Sequence, residues 1–327
     1  MKHLAPYLAL AVSIGFVLLL PLNSFGGPAA EEGFTSLFNG KDLDGWYLKL
    51  RNGDLEMARR VFVAEDGVVH VFKGLPDGSD LDTGVNPTDG MMYTKKSYSR
   101  YIFRFEYKWG TKRMNNFDKY QYDAGMYYHV SDDKIWPVGL EYQVRYDHLA
   151  GRNHTGDYVA SDVYFQWYAD KDGTFLLPGE GGRLQSRKSG QHYAKKGAKV
   201  HGLDGQWNLR EVIVTGDQYS IHKLNGEIVN LATGLTAKEG IIGLQSETAE
   251  IFYRNIMIKE FDNSDRRLSA SIDAVLVQRE MENWRSPLAS VPPSSAGQLA
   301  LAGRRPTQVA TGEPGTGLRK RDHHGGP

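Results

Sequence analysis

The chain has 327 residues, 39 Lys+Arg against 39 Asp+Glu, and no cysteine. A net charge near zero offers a polyanion no basic face, so nucleic acid is not an expected partner. The lack of cysteine excludes disulfides, thiolate metal sites, a cysteine nucleophile and the lipidated cysteine of a lipoprotein.

Met1-Lys2-His3 is a short basic start, followed by an apolar run from Leu8 to Leu20, then Pro21 and small or polar residues. This is the pattern of an export signal over residues 1–27, cleaved near 26–30. Because Leu4 to Leu22 carries no charge and is just long enough to cross a bilayer, the rival reading is an uncleaved anchor, the only expected membrane contact. The protein is thus expected to be exported, periplasmic or extracellular.

From residue 31 to 262 the chain reads as one all-β domain, rich in Tyr (18), Phe (13), Trp (6) and Gly (37). Asn39-Gly40 and Asp44-Gly45 are turn signals between aromatics. Val61 to Phe72 forms a hairpin around Asp66-Gly67, residues 74–90 a long loop, and Met91 to Thr94 a short strand. Tyr98 to Trp109 is a long strand with Tyr101, Phe103, Phe105, Tyr107 and Trp109 on one face. Ala124 to Val130 and Leu140 to Tyr146 are the next strands. A polar insertion over 148–190 holds two smaller ones, Tyr158 to Tyr164 and Phe165 to Tyr168. Asn208 to Thr215 and Gln218 to Leu224 pair across Gly216-Asp217, and Asn225-Gly226 leads to Glu227 to Leu231. Ile241 to Gln245 and Glu250 to Phe261 close the domain. Some 11 to 13 short strands without a long helical period predict a β-sandwich or jelly roll. Beyond it, residues 263–286 suit a short helix, and residues 287–327, rich in Pro, Ser, Gly and Arg, a disordered tail.

The most informative stretch is Gly139-Leu-Glu-Tyr-Gln-Val-Arg-Tyr-Asp147. Leu140, Tyr142, Val144 and Tyr146 alternate with Glu141, Gln143, Arg145 and Asp147, so one strand face is apolar and the other carries hydrogen-bonding and charged groups. Such a row suits a groove for carbohydrate; it equally suits a solvated face with one ion pair.

Several stretches, taken together, resemble one family: Phe34 to Trp46, Gly139 to Asp147, Gly205-Gln-Trp-Asn208, Leu224-Asn-Gly226, Gly240-Ile-Ile-Gly-Leu-Gln245 and Ile251 to Lys259. Their order and spacing are similar to those of the 3-keto-disaccharide hydrolase family. The resemblance covers about residues 33–261 and implies a concanavalin A-like β-sandwich that acts on oxidised glycosides. Two stretches depart from the family pattern. Gly243-Leu-Gln-Ser-Glu-Thr248 puts Glu247 where the family has His, and Gln121-Tyr-Asp-Ala-Gly125 replaces a Gly-Asn-Ser-Gly-like run.

A retaining glycosidase needs two carboxyls about 5 to 5.5 Å apart. Glu141 and Asp147 are six residues apart on one strand, roughly 20 Å, and cannot be that pair; a partner would have to come from another strand, such as Asp123 or Glu250. A ketone at C3 removes the need for a pair, because it acidifies the C2 hydrogen. One base then forms an enolate that expels the C1 oxygen, and water adds back. On this reading Glu141 is the candidate base, Arg145 stabilises negative charge, and His129 protonates the leaving oxygen. Gln143, Asp123, Trp136, Asp147 and His154 are the candidate substrate-binding residues, Trp136 as a stacking platform. Asp147, His148, His154 and Asp157 are candidate ligands for a divalent metal, although their spacing matches no established motif. Trp46 and Trp207 read as core plugs, and Arg254 as structural. The expected partner is a carbohydrate. The alternatives are a noncatalytic glycan-binding module and an ordinary endo-glucanase.

Overall fold

The computed structural model describes residues 33–81, 86–116 and 120–262. The expected export or anchor segment, the helix over 263–286 and the tail lie outside them. The described residues form seventeen strands and one α-helix. They are β1 (Thr35–Ser36), β2 (Trp46–Leu50), α1 (Leu55–Val61), β3 (Phe62–Glu65), β4 (Val68–Val71), β5 (Gly90–Thr94), β6 (Arg100–Arg113), β7 (Tyr122–Val130) and β8 (Gly139–Asp147). Then come β9 (Arg152–Asn153), β10 (Tyr158–Ser161), β11 (Gln166–Ala169), β12 (Arg183–Leu184), β13 (Asn208–Thr215), β14 (Tyr219–Leu224), β15 (Glu227–Thr233), β16 (Ile241–Ser246) and β17 (Ala249–Glu260).

The strands form two antiparallel sheets. The ten-stranded sheet runs β12-β11-β15-β14-β13-β6-β17-β4-β3, with β1 added to β17; the seven-stranded sheet runs β10-β8-β7-β16-β5-β2, with β9 added to β8. Alternation explains the packing. Tyr101, Phe103, Phe105, Tyr107 and Trp109 of β6 are all buried, and they meet Leu140, Tyr142 and Val144 of β8 and Ala124, Met126 and Tyr128 of β7 in one core. The architecture is the expected all-β sandwich.

Polar ties cross this core. Tyr158 donates to the Ser220 carbonyl at 2.6 Å, Arg210 to the Tyr142 carbonyl at 3.0 Å, and Tyr253 to the Gln245 carbonyl at 2.8 Å. Buried side chains of this kind fix the relation of the two sheets, because an unpaired donor there is costly.

Helix α1 is not expected from the sequence. Its seven residues are too short for a helical period to register. Its local signals are nonetheless in order: Asp54 caps it by accepting from the Met57 amide at 2.9 Å, with Glu56 in the first turn and Arg59 and Arg60 in the last. Trp46 is in the core, its indole nitrogen donating to the Leu37 carbonyl. Trp207 is not a core plug: it lies half-buried on the outer face of the larger sheet, with Arg254 3.9 Å and Lys108 5.1 Å from its ring centre. Arg254 pairs with Glu106 at 2.7 Å.

Candidate functional site

The smaller sheet has two faces, and period 2 assigns them. Residues 140, 142 and 144 of β8 and 124, 126 and 128 of β7 enter the core, so Glu141, Gln143, Arg145, Asp123, Gly125 and Tyr127 take the other face. Register then sets the neighbours. Tyr127 pairs with Glu141, Gly125 with Gln143 and Asp123 with Arg145. On the far side of β7, Met126 pairs with Leu244, which brings Gln245 beside Gly125 and Glu247 beside Asp123. Next to them come Met91 opposite Gln245, then Lys49. One row is therefore Arg145 and Asp123 in β8 and β7, then Glu247, Asp89 and Arg51, each one residue beyond the end of β16, β5 or β2. The chain places three acids between two guanidiniums there.

This face is not a solvated one. Glu141 is 3% exposed, Gln143 1% and Asp123 4%. The loop after β7 folds over part of it: Tyr93 donates to the Lys134 carbonyl, and Lys49 pairs with Asp133 at 2.9 Å. At its rim Trp136 is 41% exposed, with Arg51 5.1 Å from its ring centre.

The Glu141 carboxyl leans along the sheet toward Asp123. A Cβ on Gly125 would lie 2.3 Å from Glu141 Oε1 and 3.0 Å from Gln245 Oε1, so both groups end above a glycine that leaves them room. Gln245 Oε1 is buried with no hydrogen-bond partner. A buried acceptor without a donor is expensive, and a substrate hydroxyl is a donor of the right kind. Burial pushes the Glu141 carboxyl up to about 8, with the negative charge of Asp123 adding to it and Arg145, the Tyr127 hydroxyl and Arg210 opposing. Asp89 rises to about 8 for the same leading reason, despite Arg51 at 3.6 Å.

Asp123 is the hub. Arg145 Nε donates to it at 2.7 Å, and the Gln143 amide nitrogen donates to its other oxygen. Burial raises its carboxyl against the pull of Arg145. Tyr120 covers Arg145, its ring centre 4.5 Å from the guanidinium carbon. His154 adjoins this end, its ring edge-on to Tyr120 and its Nδ1 3.7 Å from Asp157.

Three expectations about position are corrected. His129 does not stand beside Glu141. The strand bulges where β7 meets the start of β16, and His129 takes a positive φ of 51°. That turns its ring toward Tyr101, where Nε2 donates to the Gly216 carbonyl at 3.0 Å; burial lowers its pKa to about 4. Asp147 caps a turn by accepting from the Ala150 amide at 3.0 Å. Glu250 belongs to the other sheet, accepting from the Thr111 amide and meeting His70 at 2.6 Å.

The residues present do not fit a divalent metal. Asp157 accepts from the Ala194 amide and the Gln191 side chain, Asp147 from its turn, and His148 packs edge-on against Tyr122. Among the described residues no three His, Asp or Glu side chains converge as a metal site.

A cavity of about 290 Å³ opens at the Gln121 end of the same strands, lined by Asp77, Arg113, Asn115, Gln121 and His148 among others. Glu141 does not line it. Gln245, Asp89 and Tyr127 join the site without having been expected there from the sequence. The available signal was alternation again, since Gly243 and Gln245 in β16 and Glu247 just after it repeat the pattern seen in β8.

The model of the 3-keto-alpha-glucoside-1,2-lyase-like domain matches residues 33–259. The chain belongs to that family. The membership supports a carbohydrate-active β-sandwich. No curated protein matches the chain in sequence. Among solved structures it is similar to a candidate glycosyl hydrolase from Parabacteroides distasonis, with 24% identity, 71% of this chain and 95% of that one covered and a TM-score of 0.42. A second candidate glycosyl hydrolase of that organism gives 19%, 70%, 99% and 0.40. A Bacillus subtilis protein of galectin-like fold gives 12%, 69%, 94% and 0.37.

Proposed function

We propose that this domain cleaves a 3-keto glycoside by removing the C2 proton, eliminating the C1 oxygen and adding water. The observation that carries the reading is the Glu141 carboxyl, enclosed on the polar face of the smaller sheet above Gly125 and raised to about 8. A carboxylate with that proton affinity is far better matched to abstracting a proton next to a ketone than an ordinary glutamate is. Arg145 supplies positive charge near the developing enolate. Burial pulls its pKa down, but Asp123, Glu247 and Glu141 outweigh this and keep it a cation. Gln245 and Gln143 offer hydroxyl recognition. We also propose that residues 1–27 act as an export signal, which would have the domain work outside the cytoplasm.

The test is turnover of 3-keto-glucosides and 3-keto-disaccharides against their unoxidised counterparts. Base catalysis by Glu141 predicts that kcat/KM rises with pH through about 8 as the group loses its proton. A profile flat from pH 6 to 9 would count against Glu141 as the base.

Gly125 offers a second check. Because an added Cβ would meet the movable end of Glu141, Gly125→Ala displaces the carboxyl rather than the backbone. We expect a loss of about 10²-fold in turnover, the cost of roughly 1 Å of misplacement, with a melting temperature near that of the parent. Unchanged turnover would show that the carboxyl position over Gly125 is not the productive one.

The second reading is a glycan-binding module without catalysis. Trp136, exposed at the rim and held by Arg51, favours it as a stacking platform. Saturable glycan binding with no product formed would decide for it.

A further inference from the structure

Elimination requires a proton for the departing oxygen as well as a base at C2. His129 is turned away from the site, and Asp123 is occupied by Arg145 and Gln143. Asp89 is buried beside Arg51. Glu247 differs from all three. It follows β16 on the face where the ends of Gln245 and Glu141 both lie over Gly125. Its backbone position is pinned by the next residue, because the Asp123 amide donates to Thr248 Oγ1 at 2.8 Å and the Thr248 hydroxyl to the Asp123 carbonyl at 3.2 Å. It is half-buried where Asp123 and Glu141 are fully buried, so an arriving ligand meets it first. Among the described residues no cation stands within ion-pair distance of it.

We propose that Glu247 is the catalytic acid that protonates the glycosidic oxygen, an assignment that rests on the 3-keto reading above. In the elimination Glu141 takes the C2 proton, and the C2–H electrons form the enolate with the C3 ketone. Collapse of the enolate makes the C1–C2 double bond and breaks the C1–O1 bond. The electron pair leaves on O1, which takes the proton of Glu247. In the hydration the Glu247 carboxylate takes a proton from water as its oxygen bonds to C1, and Glu141 returns its proton to C2. Both carboxyls end as they began, and the net consumption is one water. Glu247 is suited to start protonated: removal from water, with Asp123 and Asp89 adding negative charge, holds it well above the usual carboxylate range.

The experiment compares the full chain with Glu247→Gln and Glu247→Asp at pH 7 on two substrates, methyl 3-keto-glucoside and 4-nitrophenyl 3-keto-glucoside. Nitrophenolate departs without a proton and methoxide does not. The readout is release of the alcohol in a single turnover, which precedes hydration: Glu247→Gln is expected to release methanol about 10²-fold or more slowly and nitrophenolate less than about threefold more slowly. Glu247→Asp should recover part of the methyl-glycoside loss. Equal losses on both substrates would mean a binding or structural role and overturn the assignment, as would no loss on either. Turnover of the nitrophenyl substrate also reports that the variant is folded. A parent chain inactive on both substrates would remove the 3-keto reading itself, whereas an active parent with a leaving-group-independent variant removes only the role of Glu247.

Discussion

Replacing Glu141 by Gln is expected to cut turnover of a 3-keto glycoside by about 10²–10⁴-fold while making the protein more stable at alkaline pH. The two effects share one cause. The amide keeps the size of the side chain and an oxygen for the Tyr127 hydroxyl, but it cannot accept the C2 proton. The stability effect follows from linkage. The folded pKa of Glu141, about 8, lies above the ordinary 4.5. Between those values the folded state therefore holds a proton that the unfolded state has released. Stability from this group is complete below the unfolded pKa and is lost as pH rises through the folded one, at about 1.4 kcal/mol per unit. Gln has no such loss. Denaturant midpoints at pH 5 and pH 9 should thus be close for the two proteins at the acid end and diverge in favour of the variant at the alkaline end. A variant less stable than its parent at pH 9 would mean that the charged carboxylate is the stabilised form, and the proposed base would lose its main physical support.

The second large effect is expected from Asp123→Ala. Asp123 accepts from both Arg145 and Gln143, and the Arg145 side chain is only 18% exposed. Removing one member of a buried ion pair leaves the other charge without compensation, which costs about 3–5 kcal/mol. The same change takes the acceptor from the Gln143 amide. Urea unfolding at neutral pH measures the sum. A loss below about 1 kcal/mol would show that Arg145 re-pairs with Glu247 or Glu141, both of which already act on it. Asp123→Asn, which keeps an oxygen acceptor but no charge, should fall between the two. The comparison separates the ion pair from the hydrogen bonds.

The sandwich was legible because alternation is a local property. The aromatics at 101, 103, 105, 107 and 109 mark one buried face without reference to any other strand, and Asp66-Gly67 and Gly216-Asp217 mark turns within a few residues. The polar row of β8 was legible for the same reason. Helix α1 and the short strands β1, β9 and β12 were not, since two residues or two turns carry too little pattern.

The sequence by itself determined which side chains of each strand share a face, and through the spacing of several motifs, the family. Only the tertiary structure decided whether the Glu141 face is open or enclosed, because burial depends on what the loop at 131–138 and the neighbouring strands lay over it. It also decided which strands are adjacent. Asp123 joins Glu141 through register with the preceding strand, and Gln245 and Glu247 join them from a segment about 100 residues further along the chain, a relation that period 2 in one strand does not contain. His129 shows the same limit from the other side. Its place in the alternation puts it with Glu141, and a single bulge, set by pairing with a distant strand, turns it toward Tyr101 and Gly216.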